Sequence, residues 1–184
     1  MKELSIITKE QASPEAQELF EVMTKKYGKV PNLYAVMANS PSALKAALEY
    51  GDTLSAGEFT AKEAEAIALV VAQVNDCQYC LAAHTAAGKM MGFSEDETLS
   101  IRSGSSSDSK LAALVALAKE ITVTRGWTTE KLVDDFFAAG FSKAALVELI
   151  GLVSLNVFKN YLNHIANAPI DFPKSRQLSE TAIA

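Results

Sequence analysis

Both cysteines of this 184-residue chain and one of its two histidines lie within eight consecutive positions. The segment reads NDCQYCLAAH and contains Cys77, Cys80 and His84. On a helix, this i, i+3, i+7 spacing places the three side chains within about 60° of one face. Three kinds of site fit the pattern: a redox-active dithiol, part of a metal site, or three buried residues that are neighbours in sequence.

A dithiol at the start of a helix has a defined chemistry. Its two thiols are close enough to form a disulfide, and the backbone N–H groups and helix dipole favour the thiolate. A thiolate attacks the O–O bond of a peroxide and becomes a sulfenic acid, which the second thiol converts to a disulfide. An imidazole can relay the protons, and Cys80 and His84 are four residues apart, so that their side chains can meet.

The other two kinds of site have weaker support. A closed zinc site needs four ligands, and the chain has no second CxxC. The fourth ligand would have to be a distant carboxylate, His164 or a group from another subunit. His164 lies on the apolar face of the last predicted helix, where we expect a hydrogen-bonded structural histidine. Inert buried cysteines remain a further alternative, because free cysteine is often buried. We favour the dithiol and expect no metal.

Composition excludes several classes of protein. Hydrophobic residues make up 49% of the chain and charged residues 21%, and the net charge is −5. These values indicate a folded protein with no basic surface for nucleic acid or anionic membranes. The N-terminal residues have no apolar signal-peptide core, and runs such as AIALVV are too short to span a membrane. We therefore expect a cytoplasmic protein, in which a CxxC pair is catalytic or metal-binding rather than a structural disulfide. No Gly-rich phosphate loop is present, so we expect no bound nucleotide or other cofactor.

Apolar residues recur with helical spacing along most of the chain, and no segment alternates with period two for long enough to form a strand. The sequence therefore predicts an all-α fold, with the CxxC pair at the N-terminus of a helix. Residues that favour helix starts precede the apolar segments. The predicted N-caps are Ser13, Thr60, Ser94, Asp108, Thr128 or Thr129, and Ser142.

A serine-rich stretch at 103–109 divides the predicted single domain of residues 1–184 into two parts. We interpret this stretch as a flexible surface loop between a first half of about 1–102 and a second half of about 110–184. The segment EAIALVVAQVN of the first half resembles ALVELIGLVSLN of the second, which has no cysteines. Both an internal duplication and a chance similarity of apolar helices remain open.

A longer pattern of residues resembles a known family. The spacing E-x9-N-x-C-x-Y-C-x3-H begins at Glu65 and ends at His84. It is similar to the signature of AhpD-like alkylhydroperoxidases in the carboxymuconolactone decarboxylase superfamily, over about residues 60–92. The C-terminal segment NVFKNYLNHIANAPIDFP also resembles the closing segment of peroxidase-related members. The resemblance implies an AhpD-like helical domain over most of the chain.

The resemblance also implies unequal roles for the site residues. Cys80 would be the peroxidatic thiol and Cys77 the resolving thiol. Glu65 and His84 would form the proton relay, although spacing alone would place Glu65 on an exposed helix face. The decarboxylase branch of the superfamily lacks the cysteine pair, which argues against lactone decarboxylation.

Two further residues of the pattern have supporting roles. Tyr79 stands where the best-known members have a second histidine, and a phenol with a pKa near 10 is a poor base at neutral pH. Turnover would therefore be weak, or the natural substrate would differ. Asn75 could cap the motif helix or orient Glu65, and we favour the cap.

The sequence thus predicts a thiol-dependent peroxidase that reduces organic hydroperoxides, with electrons from an external dithiol or protein reductant. The resemblance also suggests a homo-oligomer, a trimer or a hexamer. The alternative is a non-enzymatic helical oligomer whose cysteines serve as a redox-sensing or metal-binding module.

Overall fold

The structure is a computed structural model that describes residues 4–178, and all regular secondary structure in this range is α-helical, as predicted. The helices of this range follow one another through short connections. They are α1 (Pro14–Tyr27), α2 (Asn32–Met37), α3 (Pro41–Ser55), α4 (Ala61–Val74), α5 (Gln78–Met90), α6 (Glu95–Ser103), α7 (Ser109–Thr124), α8 (Glu130–Ala138) and α9 (Lys143–Ala166).

Side-chain caps begin most of these helices where the sequence predicts them. In each case the cap oxygen accepts a hydrogen bond from a backbone N–H of the first turn, which would otherwise lack a partner. Thr129, rather than Thr128, is the cap of α8. The other caps predicted correctly are Ser13, Thr60, Ser94, Asp108 and Ser142.

The serine-rich loop is shorter than predicted. Helix α6 includes Ser103 and α7 begins at Ser109, so the connection comprises residues 104–108. Gly104 ends α6 with a φ of 88°, a left-handed conformation that glycine adopts at little cost. Asp108 accepts a hydrogen bond from Leu111 N–H and thereby begins α7. The two caps therefore fix the ends of the loop.

Helix α4 lies at the centre of the fold and packs against α5, α6, α7 and α9. Its residues Ile67, Leu69 and Val70 are fully buried, as are Leu117 of α7 and Leu149 of α9. One apolar core therefore contains residues from both predicted halves of the chain. An origin of the two halves by duplication stays a prediction.

Helix α9 is long and apolar enough to span a membrane by length and composition alone. The core helix of a water-soluble protein passes the same test, and the inner face of α9 packs against α3, α4 and α7. Its outer face also carries apolar side chains. The exposed ones are Val147, Ile150, Phe158, Tyr161 and Ile165.

The two ends of the described chain meet beside the start of α5. The chain leaves α9 at Asn167, whose φ of 49° is left-handed, and residues 167–178 continue without helix. The side-chain amide of Asn32 donates a hydrogen bond to the Pro169 carbonyl, which joins this C-terminal segment to α2. A small apolar cluster of the α2, α5 and C-terminal residues covers both cysteines.

Candidate active site

A tight turn between α4 and α5 presents the cysteine pair. Asp76 has a φ of 51°, in the left-handed region that Asp and Asn adopt more readily than most residues. Its carboxylate accepts a hydrogen bond of 2.6 Å from the Gln78 side chain. The turn reverses the chain after α4, and Cys77 becomes the N-cap of α5.

Cys77 and Cys80 are joined by a disulfide bond. The backbone N–H of Cys80 donates to Cys77 Sγ at 3.3 Å, so that the sulfur occupies the place of an N-cap oxygen. Cys77 is fully buried, and 2% of Cys80 is exposed to solvent. The pair therefore lies at the positive end of a helix and away from water, where a negative sulfur gains from the dipole.

Glu65 of α4 and His84 of α5 form a hydrogen-bonded pair. His84 Nδ1 lies 2.8 Å from Glu65 Oε2, and about a fifth of each side chain is exposed. The pair therefore reaches solvent, unlike the disulfide. In the described part of the chain, neither side chain makes a hydrogen bond to a cysteine sulfur. His84 follows Cys80 by one helical turn, so the carboxylate orients the ring on the same side of α5 as Cys80.

Tyr79 anchors the C-terminal segment over the disulfide. Its hydroxyl donates to Asp171 Oδ1 at 2.7 Å and accepts from Leu33 N–H at 3.1 Å. The Phe172 ring packs edge-on against the Tyr79 ring. Burial, together with the Asp171 carboxylate, raises the pKa of the Tyr79 phenol well above its usual value of 10.0. Tyr79 is therefore a neutral hydrogen-bond donor at physiological pH.

Asp171 is the centre of this anchor. Its carboxylate also accepts hydrogen bonds from Lys29 Nζ at 2.8 Å and from Asn32 N–H at 3.3 Å. Burial alone would raise the pKa of Asp171, but hydrogen bonds from Lys29 and Tyr79 outweigh it and lower the pKa. The carboxylate is therefore ionised at neutral pH and ties together α2, α5 and the C-terminal segment.

The sequence and the fold are both similar to those of known proteins. The model of the carboxymuconolactone decarboxylase family matches residues 41–123, which contain the disulfide, Glu65 and His84. An uncharacterized peroxidase-related protein from Silicibacter sp. TM1040 has a TM-score of 0.77 at 23% identity, over 91% of this chain and 92% of that chain. A second peroxidase-related protein, an alkylhydroperoxidase AhpD core from Ralstonia eutropha JMP134, has a TM-score of 0.79 at 15% identity, over 97% and 92%. The sequence match over residues 41–123 and the shared fold both support the resemblance to the AhpD-like members of this superfamily.

A third structure widens the range of chemistry found on this fold. The debrominase Bmp8, in complex with 2,3,4-tribromopyrrole, has a TM-score of 0.79 at 16% identity, over 93% of this chain and 92% of that chain. No curated protein matches the sequence at a significant level. At such identities the solved structures establish the AhpD-like fold, whereas the reaction depends on this chain's own residues.

Two sequence-based expectations about the site residues are wrong. Asn75 does not cap α5, whose cap is Cys77, and its side-chain amide donates to Asn160 Oδ1 at 2.9 Å instead. His164 is exposed on the outer face of α9 rather than held in the core. Cys77 accepts the first-turn N–H of α5, and Asn75 bonds to α9 instead.

Asn163 is a polar neighbour of the disulfide that the sequence analysis missed. Its side-chain amide lies 3.7 Å from Cys77 Sγ, and the residue is buried. Asp171 was missed as well, although both residues lie within the stretch NVFKNYLNHIANAPIDFP that carries the family resemblance. Within residues 4–178, no group of three or more His, Cys, Asp or Glu side chains is arranged to hold a metal ion.

Proposed function

We propose that this protein is a thiol-dependent peroxidase that reduces organic hydroperoxides through Cys77 and Cys80. One observation carries the proposal: a CxxC disulfide at the start of α5 is followed, one turn along the helix, by a His84–Glu65 pair. The disulfide stores the oxidised state, and the pair supplies a proton donor and acceptor next to Cys80. The family and the AhpD-like fold support the same class of chemistry.

The reaction balances over two thiols. The Cys80 thiolate attacks the distal oxygen of ROOH, the O–O bond breaks, and the alkoxide leaves as ROH after taking a proton from His84. Cys80 is then a sulfenic acid. The Cys77 thiol gives up its proton and its sulfur attacks the Cys80 sulfur, the hydroxyl takes up that proton and leaves as water, and the disulfide forms. An external dithiol reduces this disulfide and is itself oxidised.

Glu65 positions and polarises His84 in this scheme. A carboxylate 2.8 Å from Nδ1 holds the proton on that nitrogen, so Nε2 is the atom that exchanges protons with Cys80 and the leaving oxygen. Tyr79 has no part in proton transfer, because its phenol stays protonated and bonded to Asp171. The second histidine of the best-known members thus has no functional substitute at this position.

The test is consumption of cumene hydroperoxide with dithiothreitol as the reductant. The wild type should turn over, and Cys80→Ser should be no faster than the double variant Cys77→Ser/Cys80→Ser, which is the blank. If the reduced wild type reacts with peroxide no faster than free cysteine, the peroxidase proposal is wrong. Slow, equal oxidation of both thiols without turnover would favour a non-enzymatic redox sensor, and stoichiometric zinc in the purified protein would favour a metal module.

Reductive debromination is a second candidate, because the same dithiol can deliver its two electrons to a carbon–bromine bond. The overall change is Ar–Br plus two thiols to Ar–H, bromide, a proton and the disulfide. The observation that favours it is the fold shared with the debrominase Bmp8. Release of bromide from 2,3,4-tribromopyrrole, faster than turnover of cumene hydroperoxide, would favour this reaction.

We also propose that the protein is a homo-oligomer, a trimer or a hexamer. The outer face of α9 supports assembly, since its exposed apolar side chains at positions 147, 150, 158, 161 and 165 share one helical face and form a stripe suited to helix packing. Ile150→Lys should reduce the sedimentation coefficient to that of a monomer, whereas Lys143→Glu at the start of the same helix should not. A monomeric wild type would contradict the proposal.

A further inference from the structure

We propose that Asn163 stabilises Cys77 as the leaving thiolate during reduction of the disulfide, so that the external dithiol attacks Cys80. This inference rests on the dithiol cycle of the proposed function and assigns the site of attack within it. The same sulfur that peroxide oxidises would then carry the mixed disulfide with the reductant.

Helix α9 carries three buried asparagines. Asn156, Asn160 and Asn163 lie on the inner face of an otherwise apolar helix, each at most 8% exposed. A buried amide costs free energy unless its polar atoms find partners. Asn156 Nδ2 donates to the Leu152 carbonyl of its own helix at 2.9 Å, and Asn160 Oδ1 accepts from Asn75.

Asn163 differs from the other two. Within residues 4–178, the only hydrogen bond of its side chain is the 3.7 Å contact from Nδ2 to Cys77 Sγ, and its Oδ1 has no partner. Asn160 Nδ2, one turn away, also has no partner in this range. Packing alone does not account for an amide here, because an apolar side chain would avoid the cost of the unpaired atoms. The contact with sulfur is the interaction that the amide gains.

The contacts of the two sulfurs are asymmetric. Cys77 Sγ accepts hydrogen bonds from the Cys80 backbone N–H and from Asn163 Nδ2. In the described part of the chain, no group donates to Cys80 Sγ. Donors directed at a sulfur favour its charged form, and Cys77 also occupies the N-cap position at the positive end of α5. Cys77 is therefore the better leaving group.

The exchange then proceeds in two balanced steps. A thiolate of the dithiol attacks Cys80 Sγ, the protein disulfide breaks, and Cys77 leaves as a thiolate held by Asn163. The second thiol of the reductant attacks the mixed disulfide, Cys80 leaves as a thiolate, and the reductant departs as its own disulfide. The two protons of the reductant end on Cys77 and Cys80. A leaving thiol of lower pKa departs faster, so the donors on Cys77 accelerate the first step.

The wild type offers a direct test, because chymotrypsin cleaves after Tyr79 and places the two cysteines on separate peptides. The oxidised protein is treated with the monothiol glutathione, quenched with acid, alkylated with N-ethylmaleimide, digested and analysed by mass spectrometry. We expect glutathione on Cys80 and the alkyl group on Cys77. Glutathione predominantly on Cys77 would overturn the proposal without any variant.

Matched variants then isolate the amide. Asn163→Leu should slow reduction of the disulfide by dithiothreitol about threefold, as expected for a poorer leaving thiol, and should raise the pKa of Cys77 in a Cys80→Ser background. Asn156→Leu removes a buried amide from the same face without touching sulfur, so it should change neither quantity. Equal effects of the two variants would assign Asn163 a structural role only. Because these assays contain no peroxide, they are independent of peroxidase activity.

Discussion

The two sulfurs of one disulfide lie against different parts of the molecule. Cys77 faces α9, and its sulfur accepts from the Asn163 amide of that helix and from the Cys80 backbone N–H of α5. Cys80 lies one turn before His84, whose ring reaches solvent with Glu65. One side supplies fixed dipoles in a buried setting, and the other supplies groups that exchange protons. Under the proposed function, this difference assigns the negative charge to Cys77 and the reaction with peroxide to Cys80.

The largest effect on the Cys80 side should come from Glu65→Gln. The variant replaces the carboxylate beside His84 Nδ1 with a neutral amide, which polarises the ring less. Peroxide-dependent oxidation of the reduced protein should therefore slow about 100-fold. Stopped-flow measurement of disulfide formation with cumene hydroperoxide gives this rate.

Glu63→Gln is the matched control for this variant. Glu63 lies on the same helix, but its carboxylate pairs with Lys110 and the Thr60 cap instead of His84. The control should oxidise at the wild-type rate. Equal slowing by both variants would show that Glu65 acts through α4 stability rather than through His84.

A smaller effect is expected from the C-terminal segment that covers both sulfurs. Asp171→Asn removes the charge that holds Lys29 and weakens the bond from Tyr79. The segment should open more often, and dithiothreitol should reduce the disulfide several-fold faster. Lys174→Gln on the same segment is the control and should leave the rate unchanged. A slower reduction in Asp171→Asn would contradict this function of the anchor.

Tyr79→Phe tests the same anchor through stability. The variant keeps the ring packed on Phe172 but loses the hydroxyl, leaving the Leu33 N–H without its acceptor. The free energy of unfolding in urea should fall by about 1 kcal/mol. Tyr161→Phe, on the exposed face of α9, should have the same free energy of unfolding as the wild type within error. An equal loss in this variant would contradict a stabilising role of the Tyr79 hydroxyl.

The smallest effect is expected from pH. The pKa of Asp171 is lowered from 3.8, so its stabilisation is present above pH 3.8 and is lost as pH falls through the folded-state value. The pKa of Tyr79 is raised from 10.0, so its contribution is present below pH 10.0 and is lost as pH rises further. The contribution of this anchor to the free energy of unfolding in urea should therefore be constant between about pH 5 and pH 9. A stability difference between Tyr79→Phe and the wild type that changes within this range would contradict the assignment.

The helices could be predicted from the sequence because their starts are local. A cap such as Thr60 or Ser142 bonds to an N–H three residues ahead, and this spacing is visible in the sequence. Cys77 and Cys80 could be placed at the start of a helix for the same reason. The extent of the serine-rich loop was overestimated, since composition does not show which serines belong to the flanking helices.

The surroundings of the disulfide could not be predicted, because they are formed by distant parts of the chain. Asn163 approaches Cys77 from α9, and Asp171 approaches Tyr79 from beyond that helix. Asn75 was misassigned for a related reason, because its side chain bonds to Asn160 of α9 rather than to the start of α5. Long-range contacts of single polar side chains leave no periodic signal in one sequence.

The unequal roles of the two sulfurs can be tested most directly by trapping sulfenic acid with dimedone. Reduced Cys77→Ser and Cys80→Ser are each mixed with one equivalent of cumene hydroperoxide and dimedone, and labelling is followed by mass spectrometry. Cys77→Ser should be labelled at Cys80 rapidly and fully, whereas Cys80→Ser should be labelled no faster than free cysteine. Equal labelling of the two variants, or faster labelling at Cys77, would contradict the account.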